Sequence, residues 1–282
     1  MRIETIARMT ARLTTAAAVL GMGAGAALAA GIGQPEPWQV TMQGPVTEIS
    51  RGMQNFHFWL VIIITAISLF VLGLLVAVCV KFNEKSHPTP SKTSHNTLLE
   101  VAWTVVPVLI LVAISIPSFR LLRAELTDRP ADIVIKATGL QWYWSYEYPA
   151  DQGGFKFDSN MIPDAELKPG QPRLLAVDNE VVVPVNKTVK VQVTAGDVMH
   201  NFAVPSFGLK LDAIPGRLNQ LYFTADREGI YYGQCSELCG NGHPYMPIAV
   251  RVVSQQQYEA WLAEAKTKFA SIDGDTKVAD AR

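Results

Sequence analysis

Cys235, Cys239, His243 and Met246 stand at intervals of four, four and three residues, and His200 lies upstream. Two thiols, two imidazoles and a thioether form a soft donor set, and soft sulfur with imidazole favours copper among first-row metals. The thiolate is the metal-binding form of cysteine, and a bound cation deprotonates the thiol. Several arrangements are open to this set. Each cysteine could hold one metal, both could bridge two, or an oxidising compartment could join them as a disulfide. A structural zinc site needs four donors and has no use for a thioether. A mononuclear blue-copper site uses one cysteine, two histidines and a weak axial methionine, so the second cysteine fits it poorly. Two coppers sharing two sulfur bridges use all five side chains, with room for a backbone carbonyl from the same loop.

These residues follow two long apolar runs. Residues 52–80 contain no Asp, Glu, Lys or Arg, more than the roughly 20 residues needed to span a bilayer. Residues 101–119 form a second uncharged run holding Pro107 and Pro117, which membrane helices tolerate when neighbours satisfy the freed carbonyls. Membrane helices are expected at 52–80 and 101–122. The loop between them, 81–100, carries Lys81, Lys85 and Lys92 and reads as cytoplasmic; Arg120 and Arg123 pull the other way. Residues 1–29 resemble a secretory signal, with Arg2, Arg8 and Arg12, an Ala/Gly-rich apolar stretch and an Ala27-Leu28-Ala29 cleavage pattern; a short third membrane helix is the alternative. Cleavage there leaves 30–51 as an external segment and gives a membrane hairpin with both ends outside.

From 131 to 253 the pattern changes to short alternating segments, such as Thr188–Thr194 and Ile248–Val253, separated by Gly, Pro, Asp and Asn. Lys168-Pro-Gly170, Asp178-Asn179 and Ile214-Pro-Gly216 mark turns. An antiparallel β-sandwich or barrel is expected. Residues 254–282 follow as a C-terminal helix and tail: Ser254 with Gln257 matches a capping box, and Tyr258, Trp261, Leu262, Ala265 and Phe269 recur at helical spacing. The fold class is therefore a two-helix transmembrane hairpin plus an all-β sandwich with a C-terminal helix. The formal net charge of −1 gives no basic surplus for a nucleic-acid partner, and three cysteines exclude a disulfide-rich scaffold. Cys79 and His57, in or beside the first apolar run, read as packing residues.

Gly233-Gln-Cys-Ser-Glu-Leu-Cys-Gly240 with His243 and Met246-Pro247 resembles the copper A motif of subunit II of haem–copper cytochrome c oxidases. Ala137-Thr-Gly-Leu-Gln-Trp-Tyr-Trp-Ser-Tyr-Glu-Tyr148 resembles that family's aromatic segment, and Asp212-Ala-Ile-Pro-Gly-Arg-Leu-Asn-Gln220 another of its signatures. The resemblance implies a cupredoxin-like sandwich with a binuclear copper A centre. Cys235 and Cys239 would bridge two copper ions, His200 and His243 would each bind one, Met246 one, and the Glu237 backbone carbonyl the other. The Glu237 carboxylate would reach a magnesium ion shared with subunit I. Trp142 would take up electrons from cytochrome c, with Glu147, Asp178 and Asp197 as docking acids. Glu100 would mark the entrance of a proton path. Subunits I and III, cytochrome c and the lipid bilayer are the implied partners. The implied location is a bacterial inner membrane, with the N-terminus and copper domain in the periplasm. Leu140 departs from the histidine common in mitochondrial members. Three other readings remain. Nitrous oxide reductase shares the loop but is soluble with a large added domain. A membrane-held copper carrier would need exposed, exchangeable sulfur. A copper-free quinol oxidase relative would lack the intact donor set.

Overall fold

The computed structural model describes residues 33–269. The expected signal segment and the tail beyond 269 lie outside them. The described chain divides into a helical unit, 47–129, and a β unit made of 33–46 and 130–269.

In the helical unit, α1 spans Glu48–Lys81 and α2 spans Thr97–Leu126. At 1.5 Å per residue α1 runs about 50 Å, beyond the ~30 Å hydrocarbon core of a bilayer. Both helices are long and apolar enough to cross a membrane. Each extends past its uncharged run, because caps rather than hydropathy fix helix ends. The Thr47 side chain accepts from Ser50 N–H to start α1. Asn96 caps α2: its side chain accepts from Leu99 N–H, and the Glu100 carboxylate accepts from Asn96 N–H. Glu100 therefore helps to close the start of a helix. Pro107 and Pro117 lie inside α2. The two helices approach closely at Gly52, where an added Cβ would come within 3.0 Å of Leu121 Cδ1.

The β unit contains β1 (Ile133–Leu140), β2 (Tyr143–Tyr148), β3 (Phe155–Ser159), β4 (Val181–Pro184), β5 (Thr188–Ala195), β6 (His200–Val204), β7 (Leu209–Ala213), β8 (Asn219–Thr224), β9 (Gly229–Cys235) and β10 (Pro247–Val253), then α3 (Gln255–Lys268). They form two five-stranded sheets, β3-β2-β1-β5-β8 and β4-β10-β9-β6-β7. Most neighbours are antiparallel, as the alternation suggests. Two pairs, β1 with β5 and β4 with β10, run parallel. Alternation fixes which face a side chain takes, not strand direction; β2–β4 lie between β1 and β5 in the chain and β5–β9 between β4 and β10, so each parallel pair is joined through strands of both sheets.

The register of β1 on β5 sets Ile133, Ile135 and Ala137 beside Val189, Val191 and Val193, all buried. A one-residue slip would turn that apolar set to solvent. Trp144, Tyr146, Tyr148 and Phe155 fill the centre, and the Tyr148 hydroxyl donates to Val182 C=O, tying one sheet to the other. β10 is buried on both faces at most positions, unlike its expected half-exposed pattern. The segment around Leu175–Val177 covers its outer side, where Val177, Tyr232 and Ala249 cluster. At the far end α3 starts at a capping box of Ser254 and Gln257. Its Trp261 ring packs 5.3 Å from Tyr148 and 5.8 Å from Phe155, and Phe269, just past the helix, stacks 4.7 Å from Phe157.

Candidate metal centre

β9 ends at Cys235 and β10 begins at Pro247, so residues 236–246 form a loop held by neighbouring strands. Cys235 N–H donates to Met246 C=O across its mouth, and Ser236 N–H donates to Asn201 C=O on β6. β6 pairs with β9 through Phe202 and Cys235. That register sets His200, two residues earlier, beside the start of the loop. Gly233 allows the approach: a Cβ there would collide with the Ala203 carbonyl.

The loop and β6 bring the sequence-derived donors together. Cys235 Sγ and Cys239 Sγ lie 3.9 Å apart, far beyond a disulfide bond of about 2.05 Å; both are free thiols. His200 Nδ1 is 3.9 Å from Cys235 Sγ, and His243 Nδ1 is 3.6 Å from Cys239 Sγ. Met246 Sδ lies 3.5 Å from Cys239 Sγ, and the Glu237 carbonyl 3.3 Å from Cys235 Sγ. The donors thus sort into two groups, each with one imidazole and one further donor beside a sulfur. His200, Cys235, Cys239 and Met246 are buried, whereas His243 and Glu237 are half-buried. This donor chemistry fits soft metal ions: two unbonded sulfurs with imidazole nitrogens turned toward them.

Electrostatics support the same reading. Burial opposes ionisation of Cys235, but hydrogen bonding with His200 and backbone groups outweighs it and lowers the thiol to about 6. Burial and then the neighbouring Cys235 charge raise Cys239 to about 12. The pair therefore gives up a first proton readily and holds the second tightly, because the first charge opposes the next.

His200 is fully buried, with both ring nitrogens committed. Nδ1 faces Cys235, and Nε2 lies 2.8 Å from Asp197 Oδ1. A carboxylate on the outer nitrogen fixes the ring and its tautomer for metal binding at the inner one. Burial disfavours the charged imidazole, but contacts with Cys235 and Asp197 raise its pKa overall. Asp197 also accepts from the backbone N–H groups of Gln141 and Val198, at 2.7 and 2.6 Å. Burial is the largest single influence on its pKa and raises it, but the hydrogen bonds from His200, Gln141 and Val198 together outweigh it, and the net direction is down. Asp197, expected as a docking acid, is thus engaged in holding His200. Asp178 accepts from the backbone and side chain of Asn160. Glu147 pairs with Lys136 at 3.5 Å across β1 and β2. Glu100 belongs to the helical unit and is not part of this cluster.

Trp142 remains 38% exposed, while its Nε1–H donates to Cys239 C=O at 3.1 Å. It is therefore both reachable from solvent and joined to a sulfur-bearing residue. Trp144 is buried, donates to Met246 C=O and meets His200 edge-on at 6.1 Å. Sequence reasoning did not single out Gln141, whose side-chain amide also donates to Cys239 C=O at 2.8 Å. Nor did it single out Gly139, on which the His200 ring packs. The one sequence signal for both was their place inside the aromatic segment beside Trp142.

Comparison with known proteins gives a consistent result. The family model described as cytochrome c oxidase subunit II, periplasmic domain, matches residues 133–253, and the corresponding transmembrane-domain model matches 35–121. A probable cytochrome c oxidase subunit 2 of Rickettsia felis is 52% identical over 246 residues, covering 87% of this chain and 78% of that one. Cytochrome c oxidase subunit 2 of Cereibacter sphaeroides is 45% identical over 251 residues, covering 83% of each. The crystal structure of the periplasmic domain of subunit II of cytochrome oxidase from Bradyrhizobium japonicum is 59% identical. It covers 51% of this chain and 100% of its own, with a TM-score of 0.48.

Proposed function

The chain belongs to the cytochrome c oxidase subunit II family, and from that premise we propose that it is the electron-receiving subunit of a bacterial respiratory oxidase. The carrying observation is the pair of unbonded sulfurs 3.9 Å apart, each flanked by an imidazole. Two coppers held there, through Cys235, Cys239, His200, His243, Met246 and the Glu237 carbonyl, supply reversible one-electron storage. The chain's own residues do the rest. Strands β6, β9 and β10 hold the donors, Asp197 orients His200, and burial of four donors excludes water. Rigid donors change little when charge arrives, which favours relay over bond making. In this reading electrons pass from cytochrome c to the haem of subunit I, where oxygen is reduced to water with proton translocation, and subunit III completes the core. The Glu237 side chain contributes to a magnesium site shared with subunit I, and Glu100 lies at a proton entrance. The copper domain faces the periplasm, anchored by α1 and α2 in the inner membrane, after removal of a signal segment at 1–29. The direct test is copper stoichiometry with an electron paramagnetic resonance spectrum of the purified oxidase. Two coppers and a seven-line hyperfine pattern support the reading; one labile copper points to a carrier.

Trp142 is the proposed point of electron entry, because among the described residues it joins an exposed indole to Cys239 C=O. The Trp142→Ala oxidase is expected to keep both coppers while reduction by cytochrome c slows about tenfold, equivalent to ~1.4 kcal/mol of barrier. Stopped-flow reduction at the parent rate would rule this role out.

Glu147, Asp178 and Asp197 are proposed to help attract a basic donor, but Asp197 has a second task. Removing a carboxylate behind a metal-bound histidine costs about 10–100-fold in metal affinity or activity. Asp197→Asn is therefore expected near the lower end of that range in chelator competition. The salt dependence of donor association should change only slightly, since a single negative charge is lost. A large change in salt slope with unchanged copper retention would make Asp197 a docking residue alone.

A further inference from the structure

Residue 141 touches both halves of the donor cluster. Its backbone N–H donates to Asp197 Oδ2 at 2.7 Å, and the other Asp197 oxygen holds His200 Nε2 at 2.8 Å. Its side-chain amide donates to Cys239 C=O at 2.8 Å, sharing that oxygen with Trp142 Nε1–H at 3.1 Å. A carbonyl oxygen has two lone pairs, so these two donors satisfy it. The loop seats closely on the same residues. A Cβ on Gly240 would come within 3.1 Å of Trp142 Cζ2 and 3.2 Å of Gln141 Nε2, and one on Gly242 would collide with the Trp142 ring. Cys239 lies in the loop between the strand ends at Cys235 and Pro247, outside either strand.

We infer that Gln141 is a positioning residue: its side chain clips the Cys239 carbonyl in place and thereby links the Cys235–Met246 loop to the Asp197–His200 arm. This deepens the relay reading and rests on it for the metal, but the clip itself is a property of the metal-free chain. It also differs from a docking role. A docking residue would touch the donor and leave the Cys239 backbone unaffected.

Two substitutions of similar length separate the roles. Gln141→Met removes the donor without adding charge. Gln141→Glu removes it and adds a negative charge, which would speed association with a basic cytochrome if Gln141 served docking. Gln141 is exposed, so neither change threatens the fold. In the metal-free full-length chain in detergent, both variants should raise the maleimide alkylation rate of Cys239, read by peptide mapping, about fivefold. That is the size expected from one ordinary hydrogen bond. In the purified oxidase, both should lose copper to a chelator faster by a similar factor and shift the copper hyperfine splitting. Alkylation and copper release within twofold of the parent in both variants would overturn the clip, whatever the donor kinetics show. If the parent oxidase lacked a two-copper signal, the relay reading would fail, while the alkylation result would still decide the clip.

Discussion

Replacing Cys239 with serine is expected to abolish the shared two-copper centre and nearly all oxidation of cytochrome c. The geometry gives the reason. Cys239 Sγ is the neighbour of both His243 Nδ1 and Met246 Sδ, at 3.6 and 3.5 Å, and lies 3.9 Å from Cys235 Sγ. Removing it strips one donor group of its sulfur and, in the relay reading, takes away one of the two sulfurs proposed to be shared between the metals. A serine hydroxyl is a hard donor that does not ionise near neutrality, so it cannot replace a thiolate toward copper. The other half keeps Cys235, His200 and the Glu237 carbonyl, enough for at most one metal. Copper per chain should fall from two to one or none, and the seven-line pattern should give way to the four lines of a single nucleus or vanish. Cys79, exposed on α1, provides the control: Cys79→Ser should leave metal content and spectrum unchanged. Retention of a seven-line spectrum in Cys239→Ser would mean that the electron is shared without this sulfur.

The clustering of Cys235, Cys239, His243 and Met246 was legible in the sequence because all four fall within twelve consecutive residues, where spacing reports proximity. The helical hairpin was legible because uncharged runs report membrane length. The Ser254–Gln257 cap was legible because capping is local. Contacts across the sandwich were not. Gln141 and Cys239 stand 98 residues apart in the chain, and Gln141 and Asp197 stand 56 apart. Their meeting depends on which strands pair and in which direction, and hydrophobic alternation carries neither fact. The parallel pairing of β1 with β5 belongs to the same class. So does the second role of Asp197: an acid three residues before a histidine reads as surface charge until β6 turns the ring back toward it. Burial of both faces of β10 was hidden because its cover, around Leu175–Val177, comes from a segment with no periodic pattern.

The close approach of the two sheets behind His200 leads to the second large effect. Gly139 lies buried on β1, between Trp144 of β2 and Ala195 of β5. A Cβ added there would stand 2.8 Å from His200 Cδ2 and 2.9 Å from both Cβ and Cγ of the same residue. Contacts that short require movement, and few directions are open. Trp144 meets the ring edge-on, Asp197 holds Nε2 and Cys235 faces Nδ1. Gly139→Ala should therefore push the imidazole off its line toward Cys235. Overpacking of this kind costs about 1–3 kcal/mol of stability, and a misplaced ligand should weaken copper retention by about 10–100-fold, as loss of an orienting contact does. Gly170→Ala separates the two consequences. Gly170 has φ +88° and nothing within 4 Å of an added Cβ, so alanine there strains the backbone at a cost of roughly 1–3 kcal/mol without touching the donors. Thermal unfolding of the metal-free chains should fall in both variants, whereas chelator competition should reveal weakened copper only in Gly139→Ala. Equal copper retention in the two would show that His200 accommodates the added methyl, and that the glycine serves the sheet rather than the metal.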